Sequence, residues 1–192
     1  METDSRGGNI PERADNLLDR IMGTVVHSVL EELASSPALP FELDASYATR
    51  VEDLLSTLGL ADKRLEDTAE RVQAHINNVL RDEDGGRWIL SSDHSEAACE
   101  LPITWVDDQG TVRDSILDRT FVEAKSGERW IIDYKTSVPL ENESLDEFSS
   151  RELAHYREQL TAYGTAMSGL DQRPIRCALY FTGVGHLAPL HP

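Results

Sequence analysis

At 192 residues, the chain is long enough to bury the core of one compact domain. Its content of 40% hydrophobic and 28% charged residues is ordinary for a globular protein, and no apolar run approaches the roughly 20 residues of a membrane span. Eighteen basic against 35 acidic residues give a net charge of −17, which should repel nucleic acid at long range.

The N-terminal residues and the two cysteines indicate the cellular compartment in which we expect the protein. Residues 1–13 are polar, contain Gly-Gly and a proline, and are predicted to form a loose lead-in without the apolar core of a signal peptide. Cys99 and Cys177 lie far apart and outside any C-x-x-C pattern, and they are too few for an iron–sulfur cluster. We therefore expect a cytoplasmic protein whose cysteines are reduced packing residues.

Three helices are predicted in the first half of the chain. Residues 14–34 have apolar side chains at three- and four-residue steps, which is the period of a helix packed on one face. Residues 44–58 form the second predicted helix, which Gly59 should end. The third predicted helix covers residues 61–80 and ends before the turn DEDGG.

Strand signals follow Gly86, beginning with the short β-prone run RWIL. The segments ACELPITWV and TVRDSILDRTFV, joined by DDQG, predict a hairpin. The loop AKSGE then leads into a further predicted strand, RWIIDYKT.

A last helix and a last strand complete the predicted fold. Ser149 and Glu152 form a capping-box pattern that predicts a helix running to about Met167, and the buried strand RCALYFT follows. The order of elements predicts an α/β fold with a mixed central β-sheet flanked by helices and with an N-terminal helical portion.

Two acids and a lysine are predicted to share one patch of this sheet. Asp133 and Lys135 project from the same face of their strand because side chains alternate. If the hairpin closes around KSGE, Asp118 lies opposite Lys135 and within about 8 Å of Asp133. Such a group could bind a divalent metal such as Mg²⁺ or Mn²⁺, or it could be a cross-strand salt bridge on a solvated sheet face.

Two helix faces carry further candidate residues. His27 follows Gly23 by one helical turn, so the two share a face on which the glycine leaves room against a neighbour. Gln159 and Tyr163 share a face of the last helix, with Tyr156 nearby. Taken alone, the histidine is interpreted as a packing residue and the tyrosines as part of an amphipathic helix.

In chain order, these elements resemble those of the PD-(D/E)XK nucleases. The ordered set is Gly-x-x-x-His, hydrophobic-Asp-Arg, Ile-Ile-Asp-Tyr-Lys-Thr and Gln-x-x-x-Tyr. More narrowly, the set is similar to the RecB/AddA-type nuclease domain at the C-terminus of bacterial helicase–nucleases, from MGTVVHSVLEEL to ALYFTGVG. The resemblance implies a restriction-endonuclease-like core, with residues 14–192 forming a single RecB-like nuclease domain.

The resemblance also assigns roles to residues of this sequence. It implies that His27, Asp118 and Asp133 bind a metal ion, helped by the backbone carbonyl of Tyr134. Lys135 would orient or activate the attacking water.

Three further residues are expected to contact the substrate or to support the site. Gln159 and Tyr163 would contact DNA or brace the site, and Arg119 is a candidate substrate contact. Glu100 is a candidate match to an acidic residue that relatives carry before the hairpin.

The function implied by the resemblance is that of a Mg²⁺-dependent deoxyribonuclease, with Mn²⁺ as a substitute metal and exonuclease activity favoured over endonuclease activity. Because an acidic exterior binds DNA poorly, we expect a helicase module or partner subunit to deliver single-stranded DNA during recombination or repair. The alternative is a catalytically inactive nuclease-fold scaffold in a DNA-processing complex, and such a scaffold is expected to have lost an acid or the lysine.

Overall fold

A computed structural model describes residues 10–107 and 109–191, with side chains from residue 17 onward. The helices are α1 (Ile10–Ala34), α2 (Ala45–Thr57), α3 (Asp62–Arg81), α4 (Gly86–Leu90) and α5 (Leu145–Ser168). The strands are β1 (Ser95–Val106), β2 (Val112–Val122), β3 (Arg129–Lys135), β4 (Ile175–Phe181) and β5 (His186–Pro189). Within these ranges, no helix combines the length and the hydrophobicity needed to cross a membrane.

The strands form one mixed sheet in the order β1-β2-β3-β4-β5. Neighbouring strands are antiparallel except for β3 and β4, which are parallel and are connected by a crossover through α5. The predicted α/β fold with a mixed central sheet and flanking helices is therefore confirmed.

Helices cover both faces of this sheet. Ile132 and Tyr134 of β3 pack with apolar side chains of α1, α2, α3 and α4. Ile131 on the same strand packs with α5, as does Leu179 of the neighbouring strand β4. Because adjacent residues of a strand point to opposite faces, the sheet is a middle layer between α1–α4 and α5.

The first three helices agree closely with the sequence prediction. Helix α1 begins at Ile10, four residues before the predicted start, and residues 1–9 of the predicted lead-in lie outside the described residues. The side chain of Asp44 accepts hydrogen bonds from the first turn of α2. Gly59, at φ +92°, follows the end of α2 as predicted.

The prediction of a strand at RWIL was wrong, because these residues belong to helix α4. The Asp82 carboxylate accepts hydrogen bonds from the N–H groups of Gly85 and Gly86 at the start of this helix. The Arg87 guanidinium donates to the backbone carbonyls of Leu80 and of the loop before α2. These tertiary contacts override the β-propensity of a four-residue run.

The start of α5 also differs from the prediction. Ser144 and Glu147 form the capping box, five residues before the predicted pair, so the helix begins at Leu145. Ser149 lies inside the first turns and its hydroxyl donates to the Leu145 carbonyl. The pattern S-x-x-E occurs twice in this segment, at Ser144 and at Ser149. The spacing of the apolar residues does not show which of the two serines begins the helix.

The turn between β2 and β3 is longer than predicted. Glu123 and Glu128 close it through a hydrogen bond from the Glu123 N–H to the Glu128 carbonyl. Gly127, at φ +71°, occupies the last position of the turn. The predicted turn closed at Lys125 and Glu128, so the two strands are shifted by two residues.

This shift changes which residues face each other across β2 and β3. Arg119 pairs with Ile132, and the same register sets Asp118 against Asp133. The predicted pairing of Asp118 with Lys135 was therefore wrong. A slip of two residues keeps each side chain on its predicted face, so the two acids still come together.

The regular alternation of β2 side chains between the two faces of the sheet is interrupted near Asp118. Leu117 packs in the α5 cluster, whereas Phe121, four residues later in β2, packs in the α1–α4 cluster. Glu100 lies opposite Asp118 in the β1–β2 register and has φ +46°, a conformation that non-glycine residues rarely adopt. We infer that the hairpin bends at this pair, which places both carboxylates at the bend.

We predict that Gly86→Ala destabilises the protein strongly, whereas Gly23→Ala does not. A Cβ at Gly86 would lie 2.1 Å from the Val79 carbonyl oxygen and 2.6 Å from the Tyr180 hydroxyl. The backbone of α3 cannot move away easily, so the expected loss is about 1–3 kcal/mol or more. A Cβ at Gly23 would meet none of the described atoms within 4 Å, and alanine in the helix should stabilise by about 0.5–1 kcal/mol. Urea unfolding of both variants would contradict this account if Gly86→Ala were as stable as the parent protein.

Candidate metal centre and active site

The candidate site lies where β2 and β3 separate. Pairing between these strands ends at Arg119 and Ile132, although β3 continues to Lys135. Beyond that point, the backbone N–H of Tyr134 donates to Asp118 Oδ2 at 2.7 Å. This hydrogen bond takes the place of a backbone hydrogen bond between the strands. It holds the Asp118 carboxylate in the opening between β2 and β3.

One imidazole and two carboxylates meet in this opening. His27 Nδ1 lies 3.7 Å from Asp118 Oδ1 and 3.9 Å from Glu100 Oε1. One ligand atom of each of these three residues lies within 4.8 Å of the others. Helix α1 supplies the histidine, and the bend in the β1–β2 hairpin supplies the two acids.

Asp133 and Lys135 form a second, adjoining part of the site. Asp133 is buried, and its Oδ2 lies 2.6 Å from Lys135 Nζ. The Lys135 ammonium donates to this oxygen in a charge-assisted contact. Because a carboxylate oxygen has more than one lone pair, Oδ2 can accept from Lys135 and still bind a cation.

Side chains on one face of α5 contact Asp133 and Lys135. Gln159 Nε2 donates to Asp133 Oδ1 at 3.1 Å and to the Tyr163 hydroxyl at 2.6 Å. The ring of Tyr156 lies 4.0 Å from Lys135 Nζ in a cation–π contact. These α5 residues lie at steps of three and four, so they share one face of the helix.

Burial and neighbouring charges shift the pKa values of three residues of the site. Burial lowers the pKa of His27, although Glu100 and Asp133 act in the opposite direction, so the imidazole is neutral at pH 7 and can act as a ligand. Burial, with the charge of Asp133, raises the pKa of Asp118 to about 7. Burial opposes the charge on Lys135, but the Asp133 carboxylate outweighs it and raises the pKa of the ammonium.

The donor set fits a hard divalent cation. Carboxylate oxygens suit Mg²⁺ and Mn²⁺, and an imidazole nitrogen is a softer ligand that favours Mn²⁺. Ligand atoms around an ion with bonds of about 2.1 Å lie about 3–4 Å apart, and the atoms of His27, Glu100 and Asp118 already lie near this separation. Small rotations of the side chains would bring them onto one ion.

The structure brings most of the predicted site residues together. His27 and Asp118 are adjacent, and Lys135 and Asp133 form an ion pair. The backbone carbonyl of Tyr134 lies close enough to His27 to favour the protonated imidazole. The other predicted residues that reach the site are Gln159 and Tyr163, which contact Asp133 directly or through one hydrogen bond.

Arg119 does not reach the site. Its side chain is only 3% exposed, and its Nε donates to the Ile89 carbonyl of α4. The side chain packs beneath α4 instead. A contact between Arg119 and a substrate would require this buried side chain to move.

Two further expectations concern Glu100 and Gly23. Glu100 was only a candidate match by its place before the hairpin, yet its carboxylate lies in the same group as His27 and Asp118. No spacing rule could find it, because its position depends on the bend in the hairpin. Among the described residues, none would lie within 4 Å of a Cβ at Gly23, so the expected close approach of a neighbouring element is not seen.

Comparison with known proteins gives a family match over nearly the whole chain. A sequence model of the PD-(D/E)XK nuclease superfamily matches residues 5–187. The match covers α1, α5 and the strands that carry the candidate site, and the mixed sheet with flanking helices is consistent with a restriction-endonuclease-like fold. No curated protein matches the chain.

We predict that Asp118→Asn stabilises the metal-free protein. In the folded state the pKa of Asp118 is about 7, above its ordinary value of 3.8, so the folded protein holds this proton more tightly than the unfolded chain does. Stability of the parent protein should therefore fall as pH rises from about 4 to about 7. Asparagine removes this loss and can still accept the Tyr134 hydrogen bond, so the gain above pH 7 is up to about 4 kcal/mol.

Thermal unfolding in chelator at pH 5 and pH 8 measures this effect. The stability difference between the variant and the parent should be larger at pH 8 than at pH 5. A variant that is less stable than the parent protein at both pH values would contradict the proposed electrostatic cost of Asp118.

Proposed function

The chain belongs to the PD-(D/E)XK nuclease superfamily, and we propose that it is a metal-dependent deoxyribonuclease that hydrolyses phosphodiester bonds. The observation that carries this proposal is the meeting of His27, Glu100 and Asp118 beside the buried ion pair of Asp133 and Lys135. A cross-strand salt bridge on a solvated surface would need neither the histidine nor the burial.

The side chains that would hold a Mg²⁺ or Mn²⁺ ion are His27, Glu100, Asp118 and Asp133, with the Tyr134 carbonyl nearby. A divalent cation bound there would lower the pKa of a coordinated water and neutralise charge on the phosphate. Gln159 and Tyr163 hold the Asp133 carboxylate in place through Oδ1, and Lys135 contacts Oδ2. We therefore assign them a bracing role rather than direct contact with DNA.

The role of Lys135 follows from its charge. Because Asp133 raises the pKa of its ammonium, Lys135 remains protonated at neutral pH and cannot accept a proton from water. It can orient the attacking water by donating a hydrogen bond, and it can stabilise negative charge that develops on the phosphate. This reasoning favours orientation and electrostatic stabilisation over proton abstraction by the lysine.

The narrower RecB/AddA-type assignment rests on two elements of the sequence pattern. The histidine of Gly-x-x-x-His and the glutamine of Gln-x-x-x-Tyr both reach the site, from α1 and α5. We therefore propose exonuclease action on single-stranded DNA during recombination or repair in the bacterial cytoplasm. A helicase module or partner subunit would deliver the strand, because a net charge of −17 opposes DNA binding from solution.

We predict that Asp133→Asn and Lys135→Ala each reduce DNA cleavage by at least about 100-fold, because the first weakens the metal site and the second removes a positive charge at the reacting phosphate. Lys125→Ala, which changes an exposed lysine at the β2–β3 turn, is the matched control and should retain full activity. The assay uses linear single-stranded DNA with open ends or with both ends blocked, in Mg²⁺ or in chelator. The open-ended strand should be degraded in Mg²⁺, whereas the blocked strand should persist.

Full activity of either site variant would contradict the mechanism. Absence of cleavage by the parent protein in Mg²⁺ and in Mn²⁺ would favour the inactive scaffold instead. Circular dichroism spectra of the variants should match that of the parent protein, so that a loss of activity can be assigned to chemistry.

A further inference from the structure

A cavity of about 360 Å³ opens beside the candidate active site, between α1, α3 and α5. Lys135 lies in its wall, so the cavity adjoins the position where a phosphate would be cut. Met22, Val138 and Tyr156 give it an apolar side, and Arg71 of α3 adds a second cation. The volume lies within the range of small-ligand sites.

The residues that line this cavity suit a single nucleotide of a nucleic-acid strand. A nucleotide combines an anionic phosphate with a sugar and a base that pack well against aromatic and apolar side chains. Arg71 and Lys135 supply positive charge at the cavity in a chain with 35 acidic and 18 basic residues. Asp19 also lines the cavity and partly offsets this charge, because it pairs with Arg71.

The pairing of Arg71 with Asp19 leaves the arginine available. Arg71 Nη2 lies 3.3 Å from Asp19 Oδ1, and the Arg71 side chain is 51% exposed. Exposed ion pairs of this kind contribute about 0–1 kcal/mol, so the guanidinium can turn to a phosphate at little cost. A guanidinium can also contact two phosphate oxygens at once, which is favourable geometry for this ligand.

We propose that this cavity binds the nucleotide next to the scissile phosphate of a DNA strand. Arg71 contacts the phosphate of that nucleotide, and Tyr156 and the exposed Val138 contact its sugar and base. This inference rests on the proposed nuclease function, since it places the substrate strand across Lys135. It assigns Arg71 to substrate binding rather than to the chemical step.

The test compares Arg71→Gln with Arg81→Gln. Arg81 lies on the same helix, about 15 Å further along, and makes the same kind of exposed ion pair, at 3.3 Å to Glu42 Oε2. Binding of a fluorescein-labelled 12-nucleotide oligothymidylate is measured by anisotropy at several salt concentrations, with Ca²⁺ in place of Mg²⁺. Steady-state cleavage of the same strand in Mg²⁺ gives KM and kcat.

Arg71→Gln should weaken binding about 3- to 10-fold and lower the slope of log affinity against log salt by about 0.7, because one phosphate contact is lost. Its KM should rise by a similar factor while kcat stays within about twofold, and Arg81→Gln should behave as the parent protein does. An Arg71→Gln variant that binds as tightly as the parent protein overturns the inference, and so does a parent protein that does not bind the strand. The binding result stands whether or not the parent protein cleaves DNA, so failure of the inference and failure of the nuclease proposal can be told apart.

Discussion

The site depends on one constraint, which is that several carboxylates are held close together where β2 and β3 part. The Tyr134 N–H fixes Asp118 at that point, and the β1–β2 register brings Glu100 alongside it. Burial and the neighbouring charge of Asp133 then raise the pKa of Asp118 to about 7. A fold selected for stability alone would not keep these groups together, whereas a cation-binding site requires them.

The surrounding contacts are arranged to maintain this unfavourable grouping of charge. Lys135 offsets part of the charge of Asp133, and Gln159 fixes the orientation of the Asp133 carboxylate. Burial keeps His27 neutral, so the imidazole can donate its lone pair to a metal ion. Glu100 adopts a backbone conformation that costs a non-glycine residue about 1–2 kcal/mol, which is strain at a functional position.

Much of this arrangement could be predicted from the sequence, because it follows from local periodicity. Apolar residues at steps of three and four predicted the long helices. The alternation of side chains along the strands predicted that Asp118 and Asp133 share one face. The register was wrong because turn length between β2 and β3 depends on the conformation of Gly127, which a sequence pattern does not specify. The two-residue slip did not move side chains between faces, so Asp118 and Asp133 still lie near each other.

Other features depended on tertiary contacts that no local pattern contains. Arg87 and Asp82 make RWIL helical through contacts with distant backbone groups. The short strand β5 was not predicted, because its four residues are strand only through pairing with β4. Glu100 joins the site through a bend in the hairpin, which is a property of the folded sheet.

Calorimetric titration with Mn²⁺ tests the central claim most directly. The account predicts about one ion per chain for the parent protein, binding at least about tenfold weaker for His27→Ala, and unchanged binding for His191→Ala, which alters an exposed histidine. A parent protein that does not bind Mn²⁺, or a His27→Ala variant that binds it with unchanged affinity, would contradict the claim that α1 and the sheet jointly form a cation site.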